Sequence, residues 1–178
     1  MHDDQCSRHA PRDELLTRSV WATLNGMPNP RGKYTYDFAR PAVTADIVII
    51  SLEPEPHVLL IRRKDEPFKG AWALPGGFVD PDETLTEAAH RELGEETGIT
   101  GVYLEQLGAF GDPGRDPRGW TVTIAFLARV DRLAIGPIAG DDAAEVKWHP
   151  LAKLPKKLAF DHDKILARAR ARLAAFGA

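Results

Sequence analysis

Residues 76–99 read GGFVDPDETLTEAAHRELGEETGI. Thr84 and Glu87 have the spacing of a capping box, and Gly98 stands where a helix C-terminal cap is expected. The segment therefore predicts a helix over residues 84–97, with Leu85, Ala89 and Leu93 recurring every four residues as its buried stripe. Glu92, Glu95 and Glu96 fall at i, i+3 and i+4. That spacing puts three carboxylates on one face with Cβ atoms about 5–6 Å apart, close enough to repel. A solvated acidic face is the ordinary reading of such glutamates. A cation that holds them together is the functional one. Arg91 lies four residues before Glu95 and can orient and partly neutralise the cluster, and Glu83, just before the helix, is another partner for it. Gly76 and Gly77 let the backbone pass close to a bound ion, so a carbonyl there could be a ligand.

Oxygen-only donors favour a hard cation. Magnesium takes one or two carboxylates plus water and phosphate oxygens, and manganese can often replace it. The full pattern is Gly77, five residues, Glu83, seven residues, Arg91-Glu92-Leu93, one residue, Glu95-Glu96, one residue, Gly98-Ile99. From average residue usage its chance occurrence in the chain is below roughly 10⁻⁷. It resembles, at every fixed position, the box of the Nudix hydrolases. The resemblance implies an α+β fold, an α/β/α sandwich with a mixed sheet, and water attack on a diphosphate that links a nucleoside to another group. It also implies that Glu92, Glu95, Glu96 and the Gly76 carbonyl hold the metal, with Glu83 and Arg91 as supports. Glu92, Glu95, Glu96 and Arg91 are then the residues on which catalysis depends. In this family the general base is a helix glutamate or an acid of a later loop. Glu95 fits the first, and Asp141, Asp142 or Glu145 the second.

Outward from the box, residues 43–52 and 57–63 read as two strands joined by a proline-bearing turn, and a short strand is expected at 72–74. Strands at 103–110, 121–130 and 145–149 and a helix at 162–176 follow. Residues 1–10 read as a tail, 12–24 as a short helix, and Tyr34, Tyr36 and Phe38 as an edge strand. The expected organisation is an N-terminal extension over 1–40 and a Nudix domain over 41–178. Trp21, Trp72, Trp120 and Trp148 are expected in the core and the histidines at the surface.

The chain has 178 residues, 43% hydrophobic and 28% charged, with a net charge of −3. That fits one ordinary domain with a modest extension and argues against nucleic acid as a main partner, since phosphate-backbone binders are usually basic. The single cysteine, Cys6, forms no internal disulfide, and no signal peptide or membrane-spanning stretch is legible. A cytoplasmic location without membrane partners is expected. Relatives of this kind are often homodimers, and the N-terminal segment could supply an interface.

Two stretches bear on the substrate: residues 65–70 (DEPFKG) and the loop 111–119 (GDPGRDPRG). Both resemble the Nudix branch of ADP-ribose pyrophosphatases and of the ADP-ribose-sensing domains of repressors. Arg115 and Arg118 are expected to contact phosphate or a terminal ribose. Of Arg62 and Arg63, one should face the cleft and one away. Tyr36, Phe38 and Phe68 are candidates for stacking on adenine, although such residues more often serve core or edge packing. The expected reaction is ADP-ribose to AMP and ribose 5-phosphate. The alternatives are a nucleoside triphosphate pyrophosphohydrolase of the 8-oxo-dGTP type and a non-catalytic sensing module. The intact glutamates and the chain end at Ala178 weigh against the sensor.

Overall fold

The computed structural model describes residues 37–51, 53–132, 135 and 143–176. The expected tail, the 12–24 helix, Trp21, Tyr34, Tyr36 and the candidate bases Asp141 and Asp142 lie outside the described residues. Asp37 and Phe38 form a bend. The chain divides into units Met1–Phe38 and Ala39–Ala178, and every element below belongs to the second.

The elements are β1 (Ala42–Ser51), β2 (His57–Arg63), β3 (Trp72–Ala73), β4 (Gly76–Phe78), α1 (Leu85–Thr97), β5 (Glu105–Phe110), β6 (Thr121–Val130), β7 (Ala143–Pro150) and α2 (His162–Phe176). β1 is central. It pairs in parallel with β6 from Ala42↔Thr121 to Ser51↔Val130, and every other pairing between these strands is antiparallel, which makes the sheet mixed. The expected β1–β2 hairpin survives only at Ile50↔Val58. Below it the two strands part. Residues 72–78 cross between them, pairing first with β2 as β3 and then with β1 as β4.

Both faces of the sheet are covered. Val48 and Ile50 of β1, Val58 and Leu60 of β2, and Ala125 and Leu127 of β6 pack with Ile165, Leu166 and Ala169 of α2. The alternate residues Ala45, Ile47, Ile49, Leu59, Phe126 and Ala128 pack with Ala88, Ala89 and Leu93 of α1. A strand buried on both faces needs apolar residues at consecutive positions, which is why 47–50 read IVII without alternation. The expected α/β/α sandwich is the observed fold.

The capping box of α1 forms as read. Glu87 N–H donates to Thr84 Oγ1 at 3.2 Å and Thr84 N–H to Glu87 Oε2 at 2.8 Å. Gly98, at φ 70°, closes the other end through its N–H to the Gly94 carbonyl. The buried stripe differs from the expectation. It runs through Ala88, Ala89, Glu92, Leu93, Glu96 and Thr97, and Leu85 is 37% exposed. The alanine pair lets the helix lie close on the sheet, and that orientation turns Leu85 outward.

Three other expectations change. Trp120 is 58% exposed and Tyr103 is 84% exposed, outside β5, which begins at Glu105. His162 is fully inside the protein at 3% exposure, because its ring completes a backbone ladder. Where β3 ends, Leu74 N–H donates to His162 Nδ1 at 2.9 Å.

Candidate active site

The orientation of α1 decides the character of its carboxylates. Glu92 and Glu96 share the sheet-facing stripe, at 0% and 5% exposure, while the Glu95 side chain is 44% exposed. They do not form a solvated acidic face. Burying two like charges on one helix is costly unless each is hydrogen-bonded and neutralised.

Arg91 supplies much of that compensation. Its guanidinium donates to Glu83 twice, at 2.5 and 3.0 Å, to Glu92 at 3.0 Å, to the Phe78 carbonyl at 3.0 Å and to Glu95 at 3.3 Å. Asp80 lies 3.8 Å away. The hydrogen bonds that Arg91 donates to Glu83 are the first cause that holds it above its ordinary pKa, so the group is a permanent cation here. The principal partner is thus Glu83, with Glu95 the longest hydrogen bond. Glu83 in turn accepts from Asp80 N–H at 2.6 Å, which ties the turn before α1 to the helix.

Glu96 is fixed from the strand side. Its Oε2 accepts from Gly76 N–H at 2.8 Å, so a helix carboxylate and the candidate carbonyl ligand are joined through one residue. Only glycine fits there: an added Cβ would stand 2.2 Å from the Ala45 carbonyl oxygen, and φ is 152°. Among the described residues no three histidine, cysteine, aspartate or glutamate side chains converge at ligating spacing. A hard divalent cation there would complete its shell with water and phosphate oxygens. The all-oxygen donors and the buried like charges fit such an ion.

β2 brings up two further cations. Arg62 donates to the Gly70 carbonyl at 3.2 Å and pairs with Glu145 at 3.6 Å. Arg63 follows an irregularity in the β2–β7 register, donates to the Pro67 carbonyl at 2.7 Å and lies over the Phe160 ring. Both line a concavity of about 340 Å³ with Lys64, Lys69, Gly70 and Glu145. Four cations against one carboxylate give it a positive potential, suited to an anionic substrate.

The two arginines of the 111–119 loop have different surroundings. Arg115 is inside, its side chain 4% exposed, making a two-pronged pair with Asp161 at 2.7 and 3.1 Å. The guanidinium is held there because Asp161 precedes α2 and meets it beneath the loop, with Asp46 at 3.8 Å. It has no exposed face to offer a ligand, which departs from the sequence expectation. Arg118 pairs with Asp116 at 2.7–3.1 Å and keeps 25% of its side chain exposed. Burial opposes ionisation of Asp116, but the hydrogen bonds from Arg118 outweigh it and hold the carboxyl below its ordinary range. Phe68 is 39% exposed and touches Phe160 edge-on.

Sequence reasoning missed Asp46, Thr123, Phe160, Asp161 and His162. Asp46 accepts from Thr123 Oγ1 at 2.6 Å and faces His162 Nε2 at 3.7 Å. A signal existed for Asp46, a lone acid inside the run VTADIVII. Asp161 reads as an ordinary helix N-cap, which hides its pairing with Arg115.

The comparisons extend the likeness beyond the box. A profile described as NUDIX domain matches residues 40–169. An ADP-ribose pyrophosphatase of Methanocaldococcus jannaschii is 46% identical over 72% of this chain and 73% of its own length. The ADPR responsive transcriptional repressor NtrR of Acinetobacter baylyi is 43% identical over 77% of this chain, which spans only 56% of the repressor. Among solved structures, the NUDIX domain of Shewanella oneidensis NrtR, crystallised with ADP ribose, is similar at a TM-score of 0.70 and 34% identity, over 89% of this chain and 99% of that one. The match thus runs through the sheet and both helices as well as the glutamate-rich segment, and the chain belongs to the Nudix family.

Proposed function

We propose that this chain hydrolyses ADP-ribose to AMP and ribose 5-phosphate, with magnesium held by Glu92, Glu95, Glu96 and the Gly76 carbonyl. The observation that carries the reading is the burial of Glu92 and Glu96 beside Gly76, bound by Arg91 and by a backbone N–H. A carboxylate pair in that setting is arranged for a cation, and a purely structural helix would place alanine or leucine there. The choice of ADP-ribose is supported by the Methanocaldococcus enzyme and by the ligand of the Shewanella domain.

A diphosphate resists water because its own oxygens repel a nucleophile. Magnesium held by these residues would offset that charge and make a water molecule more acidic. The chain's part is positioning. Arg91 fixes the rotamers of Glu92 and Glu95, and Gly76 N–H fixes Glu96. Glu95, the most exposed of the three carboxylates, is assigned to take the proton from the attacking water. Arg63 and Arg118 face the substrate, and Arg115 supports the loop from beneath.

AMP release from ADP-ribose, with 8-oxo-dGTP as competitor and with magnesium present or chelated, tests this reading. ADP-ribose should be consumed first and only with the metal. Preference for the triphosphate would leave the family assignment and remove the substrate. Tight ADP-ribose binding without any turnover would instead mark a sensor, the role named for the Acinetobacter relative.

A further inference from the structure

Five side chains from five parts of the chain form a continuous stack. The Arg118 guanidinium carbon lies 4.8 Å from the Phe78 ring centroid and 5.1 Å from that of Phe160. Arg63 lies 5.0 Å from the same Phe160 ring. Phe68 closes against Phe160 edge-on at 4.9 Å and 64°. Phe160 is therefore shared by two guanidiniums, and Phe78 joins the stack to the strand whose carbonyl accepts from Arg91.

Holding two arginines at one ring works against the fold. Burial lowers the pKa of Arg63, and the charge of Arg118 lowers it further. The backbone is under tension at the same place. Phe160 has φ 52° and Phe68 has φ 64°, a region that a bulky residue rarely adopts. Such tension persists only where surrounding packing enforces it, and it concentrates at ligand clamps. The stack also leaves donors available. Arg118 commits Nε and Nη2 to Asp116, and Arg63 commits Nε to Pro67. Among the described residues, the terminal nitrogens of Arg63 and Nη1 of Arg118 make no hydrogen bond. A planar guanidinium held over a ring keeps its N–H groups in one plane, the geometry that recognises phosphate oxygens. Phe78 stands two residues after Gly76, whose N–H holds Glu96, which puts the stack beside the carboxylate face.

We propose that Phe160 is a positioning residue that clamps Arg63 and Arg118 into one preformed cationic face for the diphosphate oxygens turned away from the carboxylates. This rests on the diphosphate reading above. The ring holds both guanidiniums before substrate arrives, so less side-chain freedom is lost on binding. Phe160 touches no reacting atom, and its effect belongs to substrate affinity.

The test uses Phe160→Leu, Phe160→Tyr and Arg63→Lys in the full chain. Steady-state kinetics on ADP-ribose is combined with calorimetric binding of inorganic diphosphate in the presence of EDTA. Phe160→Leu should raise KM roughly tenfold, the scale expected when two arginines are deprived of a desolvated cation–π partner, with kcat changed less than about threefold. It should weaken diphosphate binding by a similar factor. Phe160→Tyr keeps the ring face and should restore both. Arg63→Lys keeps the charge but loses the planar stack, and should reproduce the leucine effect even if Phe160→Leu proves unfolded. The proposal is overturned if leucine and tyrosine variants behave alike, if the loss falls on kcat with binding intact, if Arg63→Lys binds and turns over like the parent, or if the parent binds no diphosphate without metal. Ring-dependent diphosphate binding in a protein that does not turn over ADP-ribose would sustain the clamp and remove the substrate assignment.

Discussion

Arg91→Ala is the substitution with the largest consequence for the fold of the site. The side chain is 23% exposed and its guanidinium makes five hydrogen bonds, to Glu83, Glu92, Glu95 and the Phe78 carbonyl. Deleting it leaves Glu92, whose side chain is 0% exposed, without its arginine, and Glu83 at 15% likewise. Breaking a buried pair by removing one member costs about 3–5 kcal/mol, because the remaining charge stays out of water. Exposed Glu95 adds little to that sum. For a chain of this size 1 kcal/mol shifts Tm by about 2–4 °C, so a fall of roughly 6–20 °C is expected by calorimetry. Arg91→Lys should recover only a small part, since one ammonium cannot reach Glu83, Glu92 and the Phe78 carbonyl together. A cycle with Glu83→Gln should show a coupling of about 1–3 kcal/mol. In turnover, Arg91→Ala should lower kcat with little change in KM, because it orients carboxylates and touches no substrate. A Tm within 2 °C of the parent, roughly 1 kcal/mol or less, would refute the reasoning.

Glu96→Gln should keep the fold and its hydrogen bond with Gly76 N–H but lose the charge, lowering kcat by about 10²-fold or more in a magnesium titration. Near-normal turnover at saturating metal would remove Glu96 from the ligand set. Arg115→Ala should cost about 3–5 kcal/mol in urea unfolding, since Asp161 and nearby Asp46 are left buried without their cation; if it instead raises KM with stability unchanged, Arg115 reaches substrate. Burial lowers the pKa of His162 from its ordinary 6.5, and its Nδ1 can accept from Leu74 N–H only while that nitrogen is unprotonated. The unfolded chain therefore takes up a proton below about pH 6.5 that the fold resists, and stability falls as pH drops toward the depressed folded pKa, by up to about 1.4 kcal/mol per pH unit. His162→Asn, which retains an acceptor for Leu74, should show a shallower loss of Tm between pH 7.5 and 5.5; parallel curves would show that the ring does not titrate in that window.

What the sequence determined by itself is what local geometry fixes. The capping box at Thr84 and Glu87 and the Gly98 cap span three or four residues, so helix periodicity alone brings the partners together. The same periodicity groups Glu92, Glu95 and Glu96, and the consecutive apolar residues of β1 announce a strand covered on both sides. Tertiary structure decided which way each surface turned. The docking angle of α1 buries Glu92 and Glu96 and exposes Leu85, although all three belong to one regular helix. The register of β2 against β7, irregular at Arg62 and Arg63, pairs the first with Glu145 and carries the second to Phe160. Arg115 meets Asp161 across 46 positions and Leu74 meets His162 across 88. Pairings at such separations depend on strand register, where a shift of one residue exchanges the two faces. No local pattern encodes that choice, so Arg115 and Arg118, two guanidiniums in one short loop, were separated only by the packing beneath it.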